Sequence, residues 1–458
     1  MIAIMDNAVK IDKKQLNRKL RMLAVPIAIQ GIVSSTLSLV DNLMVGFLGE
    51  TELAAVGVAS QVFMIFYLIN FGMMGGFATF ASQFYGVDDR ASIRKVIGLA
   101  VTVMFSVGLV FFAVTMMSAE SIMGFYTKDP AVKALAVQYL RINAVSFILI
   151  GISGPLEMSF RATQQTKVPL VVSVATFSTN TFLNYVFIFG KFGAPSLGVA
   201  GAALATAIAR VLEVLINVFC TSRKWNYFYG NIKSFFGWRK ELVKRIAKNA
   251  APTTINELLW SLGQTMYVAA FNRIGTTEYA AYQAANIIAN VFVFAGFSIG
   301  DAALIMIGEK LGEGKKDYTW EMSKHIIKVG IIVGAIIGAV VMLAAYPMTT
   351  LFNLTQEGRS YALKILILIG LTIPMGIYGG IHITGTLRGG GDTKFAMIAE
   401  SGCVWLVAVP LAFLGATVWH LPIHWCFILI RIEELVKGII LTWRYMSKKW
   451  MNTVIRDI

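Results

Sequence analysis

"FLGETELAAVGVAS", Phe47 to Ser60, returns without a gap as "RIGTTEYAAYQAAN", Arg273 to Asn286, at an offset of 226 residues. Gly49, Thr51, Glu52, Ala54, Ala55 and Ala59 recur as Gly275, Thr277, Glu278, Ala280, Ala281 and Ala285. The same offset pairs Pro26 with Pro252 and Gly86 with Gly312. With one residue added, "RATQQTK" (Arg161–Lys167) pairs with "RGGGDTK" (Arg388–Lys394). The chain is therefore built from two copies of one unit, and the composition around the copies says what kind of unit it is.

The 458 residues are 57% hydrophobic and 14% charged, with a mean hydropathy of +0.68. A soluble domain carries about 25% charged residues. Apolar runs recur along the whole chain, many long enough to cross a hydrocarbon layer, which takes about 20 helical residues. The expectation is an all-α polytopic membrane protein with twelve transmembrane helices in two six-helix lobes. The lobes are placed at 22–220 and 246–443. A tail precedes them at 1–21, a basic linker joins them at 221–245, and a second tail follows at 444–458. With the N-terminus in the cytoplasm, inside segments hold 28 Lys and Arg and outside loops hold 5. That excess is the positive-inside pattern and puts both termini in the cytoplasm. It also accounts for the net charge of +15, so no nucleic-acid partner is needed. An even number of spans per half makes the repeats parallel, and two such lobes around a cavity are a transporter architecture.

Polar residues inside the spans mark the candidate site. In the first span Gln30, Ser34, Ser38 and Asp41 are spaced by four, four and three residues, which places them on one helical face. A carboxylate at bilayer depth normally faces a bundle interior or a wet cavity, and it marks function more often than structure. The fifth span carries Thr176, Asn180 and Asn184 on one face. The sixth carries Thr206, Arg210 and Glu213, the last two spaced to pair with each other. The seventh carries Thr254 and Glu257, and the eighth Gln283 and Asn286. Ser and Thr stripes also serve helix packing alone. Pro26 and Pro252 open corresponding spans, as kinks or as helix-end signals. Gln30, Ser34, Glu257, Gln283 and Asn286 are candidates for a substrate path. The three cysteines and four histidines have no metal spacing. There is no G-x-x-x-x-G-K-[ST] loop for ATP. No cofactor, metal or enzymatic chemistry is expected.

With these residues in view the sequence resembles the multidrug and toxic compound extrusion (MATE) transporters, within a larger flippase-like exporter superfamily. The resemblance covers nearly the whole chain. It rests on "PIAIQGIVSSTLSLVDNLMVGFLG" (Pro26–Gly49), "NTFLNYVFIFGKFGAPSLGVAGAALATAIAR" (Asn180–Arg210) and "LRGGGDTK" (Leu387–Lys394). It implies alternating access and export of small amphipathic, cationic compounds in exchange for H+ or Na+. It further implies a monomer in the cell (inner or plasma) membrane. The branch it looks most like is that of the DNA-damage-inducible (DinF-like) and archaeal exporters. By motif, that branch's ion-coupling residues fall on Asp41, Asn180, Asn184 and Thr206. Members often carry Asp where this chain has Asn184, so one negative charge is missing. Glu157, one turn before Arg161, is a possible second carboxylate, or simply a partner of Arg161. The rival readings are a lipid-linked oligosaccharide flippase of the same superfamily and a polytopic membrane enzyme or receptor.

Overall fold

The computed structural model describes residues 11–350, 352 and 354–456. Residues 1–10 and 457–458 of the two expected tails lie outside this set. The described chain is helical and holds no strand. Its helices are α1 (Lys13–Gly46), α2 (Glu50–Gly86), α3 (Arg90–Tyr126), α4 (Pro130–Asn143), α5 (Val145–Ala162), α6 (Lys167–Phe189) and α7 (Val199–Thr221). They continue as α8 (Lys240–Phe271), α9 (Thr276–Gly312), α10 (Lys316–Thr349), α11 (Gln356–Gly380), α12 (Thr393–Cys403), α13 (Val409–Phe413) and α14 (Ile423–Met446). Stretches of π-helix, Ile381–Arg388, Val404–Ala408 and Leu414–Val418, extend α11 and flank α13. Among the described residues nine helical segments are long and apolar enough to cross a membrane. The chain is an all-α polytopic membrane protein, as its composition demanded.

The elements start and stop where local chemistry dictates. Asp89 accepts from the Ser92 amide ahead of α3, and Asp129 accepts from the Ala131 and Val132 amides ahead of α4, whose first residue is Pro130. Gly190 ends α6 in the left-handed conformation, φ 65°. Two elements differ from the hydropathy reading. The helix expected to begin near residue 22 begins at Lys13, because Leu16, Leu20 and Leu23 form a buried stripe while Arg18 and Arg21 between them are exposed. The apolar run at 136–158, expected as one span, is two helices, α4 and α5, meeting at Ala144.

The chain divides into two compact units. Unit 1 comprises 1–28, 78–88 and 245–458, and unit 2 comprises 29–77 and 89–244. Three of the four boundaries fall inside helices, within α1, α2 and α8, and the fourth lies between α2 and α3. In unit 1 the glycines paired by the internal repeat turn out to be partners in space. A Cβ on Gly86 would lie 2.1 Å from the Glu309 carbonyl oxygen, and a Cβ on Gly312 would lie 2.0 Å from that of Gln83. Gln83 and Glu309 stand at the repeat offset themselves. The ends of α2 and α9 therefore cross through equivalent residues, and only glycine admits the approach. The C-terminal segment also docks in unit 1. Trp450 is fully buried, the Val454 amide donates to Gln83 Oε1 (2.8 Å), and the Asn452 amide donates to the Gly390 carbonyl (3.2 Å). In unit 2 Phe63, Phe66, Phe111 and Phe147 form one aromatic cluster with centroids 4.4 to 5.5 Å apart. The basic linker is ordered there too: Phe228 is buried, and Asn226 joins Gln165 (3.3 Å) to the linker backbone.

Candidate functional site

The polar stripes of α1, α6 and α7 converge in unit 2. Asn180 and Asn184 lie one turn apart on α6 and are each 1% exposed. The Asn184 amide nitrogen donates to Asp41 Oδ1 (2.6 Å) and to Asn180 Oδ1 (3.0 Å). Asn180 Nδ2 donates in turn to Thr206 Oγ1 (3.2 Å), whose own hydrogen goes to the Ala202 carbonyl (3.0 Å). Small residues make this possible. A Cβ on Gly201 would meet the Phe187 carbonyl oxygen at 2.6 Å, so α7 starts in direct backbone contact with the end of α6. The four residues placed by motif are thus one hydrogen-bonded chain ending on a single carboxylate. Asn184 Oδ1 is buried and has no partner. That oxygen belongs to the side chain that donates to Asp41, and a buried polar atom left unmet costs free energy.

A second polar group sits further along the same unit. Gln30, 5% exposed, donates from Nε2 to Glu157 Oε2 (2.9 Å) and accepts at Oε1 from Arg161 Nη2 (2.6 Å). Glu157 and Arg161 are therefore bridged by α1. The expected pairing on α7 forms: Arg210 Nη1 lies 2.5 Å from Glu213 Oε2, and its Nη2 donates to the Tyr67 hydroxyl (2.5 Å). Tyr67 carries no periodic polar signal in α2, and only the fold identifies it as the partner of Arg210. Ser34 lies on α1 between these groups and is exposed, its carbonyl accepting from Ser38 Oγ (3.4 Å).

Unit 1 holds the other candidates. Glu257 Oε1 is 2.6 Å from Arg388 Nη2, and both side chains are buried or nearly so. Gln283 is exposed and donates to the Tyr279 hydroxyl (2.8 Å), and Asn286 is half-buried. A buried ionic cluster joins α8, α12 and α14. Lys437 Nζ stands 3.0 Å from both Glu433 and Glu434, Tyr267 donates to Glu433 (3.2 Å), and Glu400 accepts from Asn256 (2.5 Å). The sequence reading passed over this cluster. Its signal was present in "RIEELVKG" (Arg431–Gly438), where Glu433, Glu434 and Lys437 have three- and four-residue spacing inside the last span. Pro26 and Pro252 stand well inside α1 and α8 rather than in their first turns, so neither is an end signal.

The sequence model of the MatE family matches this chain twice, over residues 26–186 and again over 252–414. The second match begins 226 residues after the first, the offset of the repeat. Over 412 residues the chain is 26% identical to the probable multidrug resistance protein YoeA of Bacillus subtilis, covering 88% of each chain. It is 22% identical to the probable multidrug resistance protein NorM of Thermotoga maritima, covering 97% of this chain and 96% of the other. The fold superimposes on a multidrug resistance MATE family transporter of the MOP superfamily, solved in an outward-facing conformation, with a TM-score of 0.86. That likeness covers 96% of this chain and 99% of the other at 19% identity.

Proposed function

The chain belongs to the MatE family of membrane transporters, and on that premise we propose that it is a secondary active multidrug exporter. It moves small amphipathic, cationic compounds out of the cytoplasm by alternating access, in exchange for H+ or Na+. Asp41 is the coupling residue. The observation that carries this is the cradle around it: one carboxylate, two amides and a hydroxyl in a single hydrogen-bonded chain, with Asn184 Oδ1 left over.

An amide suits this task in a way that a second carboxylate does not. It offers a donor to ionised Asp41 and, turned over, an acceptor to protonated Asp41. With Na+ bound, Asp41, Asn180 and Asn184 supply oxygen ligands of the hard type that this ion prefers. Only a difference in ion affinity between the two access states can drive the cycle, so Asp41 must be wetter in one of them. Of the five residues read as substrate-path candidates, Ser34 in unit 2 and Gln283 and Asn286 in unit 1 keep that assignment, while Gln30 and Glu257 are taken up by Arg161 and Arg388. Both termini are assigned to the cytoplasm on the lysine and arginine bias.

The test is export from proteoliposomes with the two gradients imposed separately. Efflux of ethidium driven by one gradient and collapsed by dissipating it is the expected result. Efflux that persists undiminished with both gradients absent contradicts a coupled antiporter.

A further inference from the structure

Arg161 and Arg388 answer each other in the internal repeat, opening "RATQQTK" and "RGGGDTK". The structure gives them the same task, each within its own unit. Arg161 lies in the last turn of α5 and Arg388 closes the π-helix Ile381–Arg388. Arg161 Nη2 donates to Gln30 Oε1 at 2.6 Å, and Arg388 Nη2 donates to Glu257 Oε1 at 2.6 Å. In both arginines Nε is buried without a partner. Both acceptors follow a proline inside the first helix of their half. Gln30 is four residues beyond Pro26 in α1, and Glu257 is five beyond Pro252 in α8. A proline interrupts the helix's own hydrogen-bond ladder, so the turns just after it need an outside tether to stay fixed.

We propose that Arg161 and Arg388 are equivalent positioning residues that pin the proline-bearing first helix of each half, and that only the Arg161 clamp opens during transport. The inference rests on the exporter reading for its transport consequence, but the clamps themselves are structural. The difference between them lies in what each release would separate. Glu257 and Arg388 are a buried ion pair on separate elements, and parting them takes the hydrogen-bonded carboxylate from a buried guanidinium that keeps only the charges of Glu400 and Asp301 near it. Removing a buried partner is strongly destabilising. Gln30 is neutral, and its amide orientation is dictated, since Arg161 can only donate and so takes the Gln30 oxygen, which turns the Gln30 nitrogen to Glu157. Glu157 and Arg161 sit one turn apart on α5. When α1 leaves, they can close on each other and no charge is stranded. The α1 clamp is thus reversible by construction, and the α8 clamp is a fixture.

The experiment converts one clamp into the other. The double variant Gln30→Glu with Glu157→Gln keeps the net charge and the hydrogen-bond count but gives α1 an ion pair to Arg161, as α8 has to Arg388. Amide exchange of the full-length protein in nanodiscs reads the clamp without any substrate. Over residues 27–34 the swap slows exchange by about tenfold, and Arg161→Met speeds it by a similar factor, while residues 253–260 are unchanged. Arg388→Met speeds exchange over 253–260 and lowers the thermal midpoint more than Arg161→Met does. In proteoliposomes the swap cuts gradient-driven ethidium efflux at least about tenfold while ethidium affinity stays within about twofold, because locking α1 stops the cycle without touching the cargo. Unchanged exchange over 27–34 in both the swap and Arg161→Met overturns the clamp. Slowed exchange with efflux at the wild-type rate overturns its role in the cycle. Wild-type protein that exports nothing under any gradient overturns the exporter reading and leaves the exchange result standing.

Discussion

Asp41 is the only carboxylate in its cradle, which makes it the residue whose loss is most informative. Asparagine in its place would keep the shape and the hydrogen bond to Asn184 while removing the charge. Asp41→Asn is expected to fold and insert with a thermal midpoint equal to or above that of the wild type, since an intramembrane charge has gone. A lowered midpoint in detergent would assign Asp41 a structural role instead. Glu257 behaves in the opposite way. It neutralises Arg388, which is almost wholly buried. Glu257→Gln removes the carboxylate hydrogen-bonded to that guanidinium, leaving only the charges of Glu400 and Asp301 near it, and is expected to cost about 3–5 kcal/mol of stability. Thermal or denaturant unfolding of the purified variant measures it, and a cost below about 1 kcal/mol, the value of an exposed pair, would show the site to be wet.

Among the elements, the first helix of each half and the crossing of α2 with α9 carry the repeat into three dimensions. Gly86→Ala would place a methyl 2.1 Å from a backbone oxygen that cannot swing aside. The helices must separate, and overpacking of this kind costs about 1–3 kcal/mol. Gly312→Ala is expected to cost the same, because the contact is reciprocal, and a difference of more than about 1 kcal/mol in unfolding free energy would deny the equivalence. These features were legible early. The pairing of Gly86 with Gly312 and of Pro26 with Pro252 is visible as an offset in the chain, the shared face of Asn180 and Asn184 follows from four-residue spacing, and their grouping with Asp41 is what the family resemblance implies. What stayed hidden has a common cause. The Gln30–Arg161 and Tyr67–Arg210 contacts depend on how separate helices are set against one another, which no single-helix period encodes. The start of α1 at Lys13 was missed because hydropathy registers the uniformly apolar part of a helix and not its amphipathic end.

For the molecule as a whole, the lysine and arginine bias orients the chain, and the ordered linker can report it. Single cysteines at exposed Trp225 or Ile232 are expected to react with an impermeant maleimide in inverted vesicles and not in intact cells. Labelling in intact cells would reverse the topology. The central claim is that the charge on Asp41 is what the ion gradient acts on. Wild-type and Asp41→Asn proteins, reconstituted at matched amounts, should be compared for ethidium efflux under an imposed H+ gradient and under an imposed Na+ gradient. The account predicts efflux by the wild type under at least one gradient and none above the protein-free background by Asp41→Asn under either. Asp41→Asn efflux at the wild-type rate under the driving gradient would contradict it.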